Sequence, residues 1–218
     1  MSTPADPGRP GAARLSLKTL LGGAALVAIL AAMALDTKVV VIGSEEDVQD
    51  EVFDPASYGQ AQFPRIRDSI LERAVPAPEL AAAVAEDATA AGQEYGVGEG
   101  FGPVVPVTFT GTAGEAKSGI YTVDVEGLPE GMGIRVQTGP AINGTELRDA
   151  TGDIEFGQFT NQIEYQDAGA AINNAMKEEV LAGVDTANLT GKTITVTGAF
   201  KLINPKNWLV TPVELSVE

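Results

Sequence analysis

The sequence predicts an α+β chain: an N-terminal transmembrane helix, a short helical region, then an OB-like Greek-key β-barrel with one inserted helix. Three observations predict it. Residues 20–35 contain no charge, no polar side chain and no proline. Residues 55–91 carry apolar side chains at helical spacing. Beyond Pro103 the period changes to two, in short runs broken by glycines, with one helical stretch before the last two runs.

Taken in order, residues 1–14 read as a disordered cytoplasmic tail, because Pro4, Pro7, Gly8, Pro10 and Gly11 crowd its length. Residues 15–43 read as the anchor. The uncharged run 20–35 rises roughly 24 Å as a helix, short of a hydrocarbon core of about 30 Å. Continuing through Val39, Val40, Val41 and Ile42 removes the deficit. Arg14 and Lys18 precede the run, which sets the N-terminus inside and the remaining chain outside the cytoplasm. A signal peptide cut after Ala34 is the rival, since Ala32-Met33-Ala34 has the small-x-small pattern. The apolar run that resumes at Val39 favours the uncleaved anchor. The expected location is the cytoplasmic membrane, single-pass, with the C-terminal domain extracytoplasmic.

Residues 44–100 form an acidic helical region and linker, with thirteen carboxylates against three arginines. Asp54 as N-cap followed by Pro55 predicts a helix start, and Tyr58, Phe63, Ile66, Ile70 and Leu71 form its apolar stripe, interrupted at Pro64. A second helix is predicted over 78–91 from Leu80, Val84, Ala88 and Ala91. Gly96, Gly98, Gly100 and Gly102 mark a linker over 93–102.

Residues 101–218 form the barrel domain. Strands are predicted at 105–109, 120–125 and 134–137, with a further short one at 154–159. A helix over 167–181 follows, with Ala171, Ile172, Ala175, Met176 and Val180 on one face and Gly183 as its stop. Two strands at 193–200 and 208–215 close the chain, joined by Asn204-Pro205-Lys206-Asn207. Pro212 cannot donate to a ladder, so it predicts an edge or a bulge. Three strands, a helix and two strands is the order of an OB barrel.

The formal charge of −16 argues against nucleic acid as a partner. With no cysteine and no histidine, the chain lacks thiolate and imidazole ligands, a neutral-pH imidazole base and a lipidation site. No metal and no cofactor are expected. The acidic residues at 45–54 lack the glycine and spacing of a calcium loop and read as a solvated spacer.

Two segments stand out as ligand- or partner-binding candidates. In 139–150, Gly139-Pro140 forces a sharp exit from a strand, Asn143-Gly144 supplies a left-handed turn, and Thr145, Arg148 and Asp149 follow. A guanidinium there suits a carboxylate or sugar hydroxyls; the competing reading is an arginine that clamps loop carbonyls or a nearby carboxylate. In 159–165, Asn161, Gln162 and Tyr165 suit a polyol groove, but serve equally to satisfy backbone groups where a helix starts. A glycosidase pair among Asp149, Asp153, Glu155 and Glu164 is a minor alternative. Trp208 is expected to cap the barrel rather than stack on a sugar.

These blocks resemble a family of predicted periplasmic lipoproteins, domain of unknown function 2291. The resemblance is carried by Phe53-Asp54-Pro55-Ala56-x-Tyr58, by the 139–150 segment, by Phe159-x-Asn161-Gln162-Ile163-x-Tyr165, by Gly191-Lys192 with Val196-x-Gly198-Ala199-Phe200, and by Thr211-Pro212-Val213. It implies a membrane-tethered extracytoplasmic protein associated with sugar-type ABC uptake systems, and no established activity or catalytic residues. This chain departs from the family in having no cysteine to carry lipid, which leaves the uncleaved helix as tether. The expected role is an accessory or interaction protein that is not an enzyme, with ABC transporter components as partners. A carbohydrate or small polar ligand-binding module is the alternative, and a carboxylate-dependent hydrolase the less favoured third.

Overall fold

The computed structural model describes residues 17–36, 53–98 and 102–218. The expected tail over 1–14, the apolar run 39–42 and the acidic spacer 45–52 lie outside the described residues, as does part of the glycine linker. The chain divides into two units, Met1–Val52 and Phe53–Glu218.

The first unit contains one helix, α1, Leu17–Asp36. Alanine, leucine and the absence of proline favour it, and its side chains from 21 to 36 are all exposed. Among the described residues no helix is long and apolar enough to cross a membrane. The expected spanning anchor over 15–43 is therefore not met by α1. The physical reason is length: the uncharged run alone rises roughly 24 Å, and the residues that would extend it are not among those described.

The second unit is mixed α+β. Helix α2, Pro55–Arg73, starts where expected: the Asp54 carboxylate accepts from the Ala56 amide, and Pro55 occupies the first turn. The helix runs through Pro64. A two-residue strand, β1, Val75–Pro76, follows. The single helix predicted over 78–91 is two: α3, Ala77–Glu86, and α4, Ala88–Tyr95. Asp87 separates them, its carboxylate accepting from the amides of Thr89 and Ala90. An aspartate that caps a new helix competes with continuing the old one.

The sheet strands are β2, Val104–Lys117; β3, Ile120–Asp124; β4, Gly133–Gln137; β5, Thr193–Lys201; and β6, Asn207–Val217. The order is β1-β2-β3-β4-β6-β5, and β2 pairs again with β5 along the register from Val104↔Lys201 to Thr112↔Thr193. All of these ladders are antiparallel except β4–β6 and β1–β2. The expected barrel is corrected in one respect. β1 adds a sixth strand beside β2, so the sheet is not simply a closed five-stranded barrel. β2 serves three neighbours because its first half meets β1 and β5 while its far end meets β3.

Pro212 sits at a bulge. Thr197 pairs with Glu214 and Gly198 with Pro212, which leaves Val213 as the extra residue. The strand predicted at 154–159 is instead a 3-10 turn, Phe156–Gln158. Gly157 and the Gln158 side chain, which donates to the Asp153 carbonyl at 2.7 Å, replace a ladder with local bonds.

Between β4 and β5 lie the short α5, Glu146–Asp149, and the inserted helix α6, Gln162–Met176, which ends in a π-helical turn, Lys177–Leu181. α6 begins earlier than predicted, because Asn161 rather than Asp167 caps it. α2 and α6 pack together at close range: a Cβ added at Gly59 would collide with the Ala171 carbonyl. One core joins Phe63, Ile66 and Ile70 of α2, Ile172 and Met176 of α6, and sheet residues such as Val107, Val136 and Phe200. Trp208 is fully buried and stacks on Phe200 at 4.4 Å, as expected of a core plug. Its Nε1 finds no hydrogen-bond partner among the described residues.

Candidate functional site

The loop that leaves β4 is held at three places. Gln137, buried at the end of β4, donates from Nε2 to the Asn143 carbonyl at 2.9 Å and accepts from the Asn143 amide at 3.1 Å. Asn173 of α6 donates to the Gly144 carbonyl at 3.0 Å, and Lys177 to the Pro140 carbonyl at 2.7 Å. Gly144, at φ +109°, makes the predicted left-handed turn. Asn143 therefore contributes its backbone to the loop, and its side chain is exposed.

This loop delivers Thr145, Arg148 and Asp149. Arg148 is buried, donating from Nε to Asp149 at 2.8 Å and from Nη1 to the Tyr165 carbonyl at 3.2 Å. Its guanidinium lies 3.7 Å from the Tyr165 ring centroid. Thr145 donates to the other Asp149 oxygen at 2.6 Å, and Lys201 reaches the same oxygen at 3.3 Å. Burial would raise the Asp149 carboxyl, but the Thr145 hydroxyl, Arg148 and Lys201 outweigh it and hold it below its usual value. Neighbouring Glu146 goes the other way, raised chiefly by burial. An arginine so engaged is a clamp, which was the competing reading of Arg148.

Asn161 is likewise structural. Its Oδ1 accepts from the amides of Ile163 and Glu164 at 2.9 and 3.0 Å, while Glu164 accepts from the Thr160 amide at 2.9 Å. Asn161 and Glu164 thus satisfy three backbone amides at the start of α6, a relative of the capping box in which the glutamate reaches the residue before the cap. Gln162 is exposed, and among the described residues no hydrogen bond fixes its side chain. Of the seven candidates, the fold joins Thr145, Arg148, Asp149 and Tyr165 in one network and leaves Asn143, Asn161 and Gln162 apart from it.

Sequence reasoning missed what surrounds Tyr165. Phe53, Tyr58, Phe156, Phe159 and Tyr165 form a continuous cluster, neighbouring ring centroids lying 5.4–5.7 Å apart in tilted or edge-on contact. None of the five is fully buried, and Phe156 is 52 % exposed. They come from three places: the start of α2, the 3-10 turn and the start of α6. Arg65 of α2 bonds to Asp153 beside them and draws the Asp153 carboxyl down, with help from Thr151. Burial raises the Tyr58 phenol. The signal was present in the two aromatic blocks Phe53…Tyr58 and Phe159…Tyr165, but Phe156 had been placed on a strand.

Elsewhere, a groove between α2 and α6 is lined by Pro55, Gln60, Asp167, Asn174, Lys177 and Glu178, and none of the seven candidates lines it. Among the described residues no cluster of acidic side chains could hold a metal ion.

A crystal structure of an OB-fold protein from Thermotoga maritima matches with a TM-score of 0.60 at 20 % identity, over 77 % of this chain and all of that one. That likeness shows the fold. No curated protein matches. The family model described as predicted periplasmic lipoprotein, domain of unknown function 2291, matches residues 24–216. The chain thus belongs to this family of predicted periplasmic lipoproteins, whose description sets its members outside the cytoplasm.

Proposed function

We propose that the chain is an extracytoplasmic interaction module tethered to the membrane through its apolar N-terminal segment, and that the aromatic cluster is its docking face. The observation that carries this reading is a contrast within one site. Arg148, Asp149, Thr145 and Asn161 are engaged in bonds that build the fold, whereas Phe156 stands largely exposed on rings that are themselves incompletely covered. Exposed aromatic side chains are typical anchors of protein–protein contacts. The lack of histidine and cysteine in the chain favours a binding role over catalysis in this reading. The tether is supported by α1, whose apolar side chains from 21 to 35 are exposed on every side.

The partner that fits the family resemblance is a component of a sugar-type ABC uptake system. A photo-crosslinking residue at position 156 in native membranes, followed by identification of the product, tests this. A transporter subunit captured at 156 and not at Glu115 on the far end of β2 is the expected result. Labelling without a discrete product sinks the proposal. Carbonate washing of the same membranes should leave the protein in the pellet; release into the supernatant would refute the tether. The sugar-binding alternative keeps only Gln162 and the ring faces, and calorimetry against a sugar panel is expected to give no heat.

A further inference from the structure

The charges around the aromatic face narrow its partner. Asp54 adjoins Phe53, Asp153 and Glu155 precede Phe156, and Glu164 precedes Tyr165 in sequence. Arg65 is paired with Asp153, and Arg148 shares the single carboxylate of Asp149 with Lys201. Glu155, which adjoins Phe156 in sequence, is exposed and has no hydrogen-bond or ion-pair partner among the described residues. The face therefore combines uncovered ring surface with an adjoining carboxylate that lacks a counter-charge, on a chain of formal charge −16. Ring faces attract cations, and the carboxylates add long-range attraction for positive charge. Anionic lipid headgroups and acidic peptides are repelled by the same field.

We infer that the docking face receives a lysine- or arginine-bearing segment of a partner polypeptide, with an apolar side chain of that segment seated against Phe156 and a cation beside Glu155. The inference rests on the interaction-module reading and adds the sign of the partner's charge. Full-length protein in neutral detergent micelles is titrated into two short fluorescein-labelled peptides of alternating leucine and lysine, or leucine and glutamate, and followed by anisotropy. The lysine peptide should bind at least about tenfold more tightly. Phe156→Ser should weaken it by a similar factor, and Glu155→Gln should weaken it while reducing its sensitivity to salt. Unchanged Trp208 fluorescence checks that the variants are folded. Equal affinity for the two peptides overturns the inference, as does wild-type affinity in Phe156→Ser. If position 156 crosslinks to a subunit while the two peptides bind alike, only the charge assignment fails. If the crosslink also fails, both readings fall.

Discussion

The Arg148 guanidinium stacks on the Tyr165 ring at 3.7 Å and also donates to the Tyr165 carbonyl at 3.2 Å. One side chain thus fixes both the ring and the backbone of the residue on which the aromatic cluster leans. Its Nε bond to Asp149 completes the fork. Gly169 faces the same guanidinium with nothing bulkier than hydrogen, an added Cβ falling at ordinary contact distance from Arg148.

Replacing Arg148 by lysine keeps the charge but loses the planar fork and the stack. With Arg148 buried, the loss of charge-assisted bonds should destabilise the fold by about 2 kcal/mol. A urea titration followed by circular dichroism measures it, and a midpoint matching the wild type would contradict the clamp.

Asn161→Ala should remove a helix cap and nothing else. The expected loss is about 1 kcal/mol, recovered in large part by Asn161→Asp or Asn161→Ser. Binding of the lysine peptide should be unaffected, which separates this residue from the docking face. A variant that kept full stability but lost binding would restore Asn161 as a ligand contact.

Gly59→Ala tests the α2–α6 contact. Alanine ordinarily favours a helix over glycine by about 1 kcal/mol, yet here its Cβ would collide with the Ala171 carbonyl. Overpacking of this kind destabilises by about 1–3 kcal/mol, so the thermal midpoint should fall. A rise would mean that the helices have room to spare.

Acid should expose the Asp149 network. Its carboxyl is held below the usual value, so the folded state binds its proton less readily than the unfolded chain. Its contribution is then present above about pH 4 and is lost as the pH falls through the depressed value. Glu146, raised by burial, opposes this: its contribution is present at low pH and is lost as the pH rises through its raised value. Urea midpoints of wild type and Asp149→Asn should differ at neutral pH and converge toward pH 2. A constant gap across that range would place the stabilisation elsewhere.

Much of the architecture was readable because it depends on local chemistry. Asp54-Pro55 starts α2, Pro212 marks the bulge, and the threonines of 193–197, alternating with Ile194 and Val196, form the strand they suggest. The errors arose where two local signals compete. Asp87 lies inside an alanine-rich run but caps a new helix, and Asn161 with Glu164 outranks Asp167 as a start. Ile154 to Phe159 alternates like a strand but has no neighbour to pair with. The candidate site was half legible. Arg148, Asp149, Thr145 and Tyr165 do meet, but the rings that join them come from segments about a hundred residues apart in sequence, and no spacing rule brings Phe53 to Phe159.

The long β2–β5 ladder has a further consequence for biogenesis. Val104 is hydrogen-bonded across to a strand that ends at Lys201, so one edge of β2 stays open until nearly the whole polypeptide has emerged. Pairings so distant in sequence close slowly, and an unsatisfied edge is prone to wrong partners. Truncation before Thr193 should therefore yield an insoluble product rather than a smaller folded one, and the nascent chain has reason to need a holding chaperone as it leaves the translocation channel.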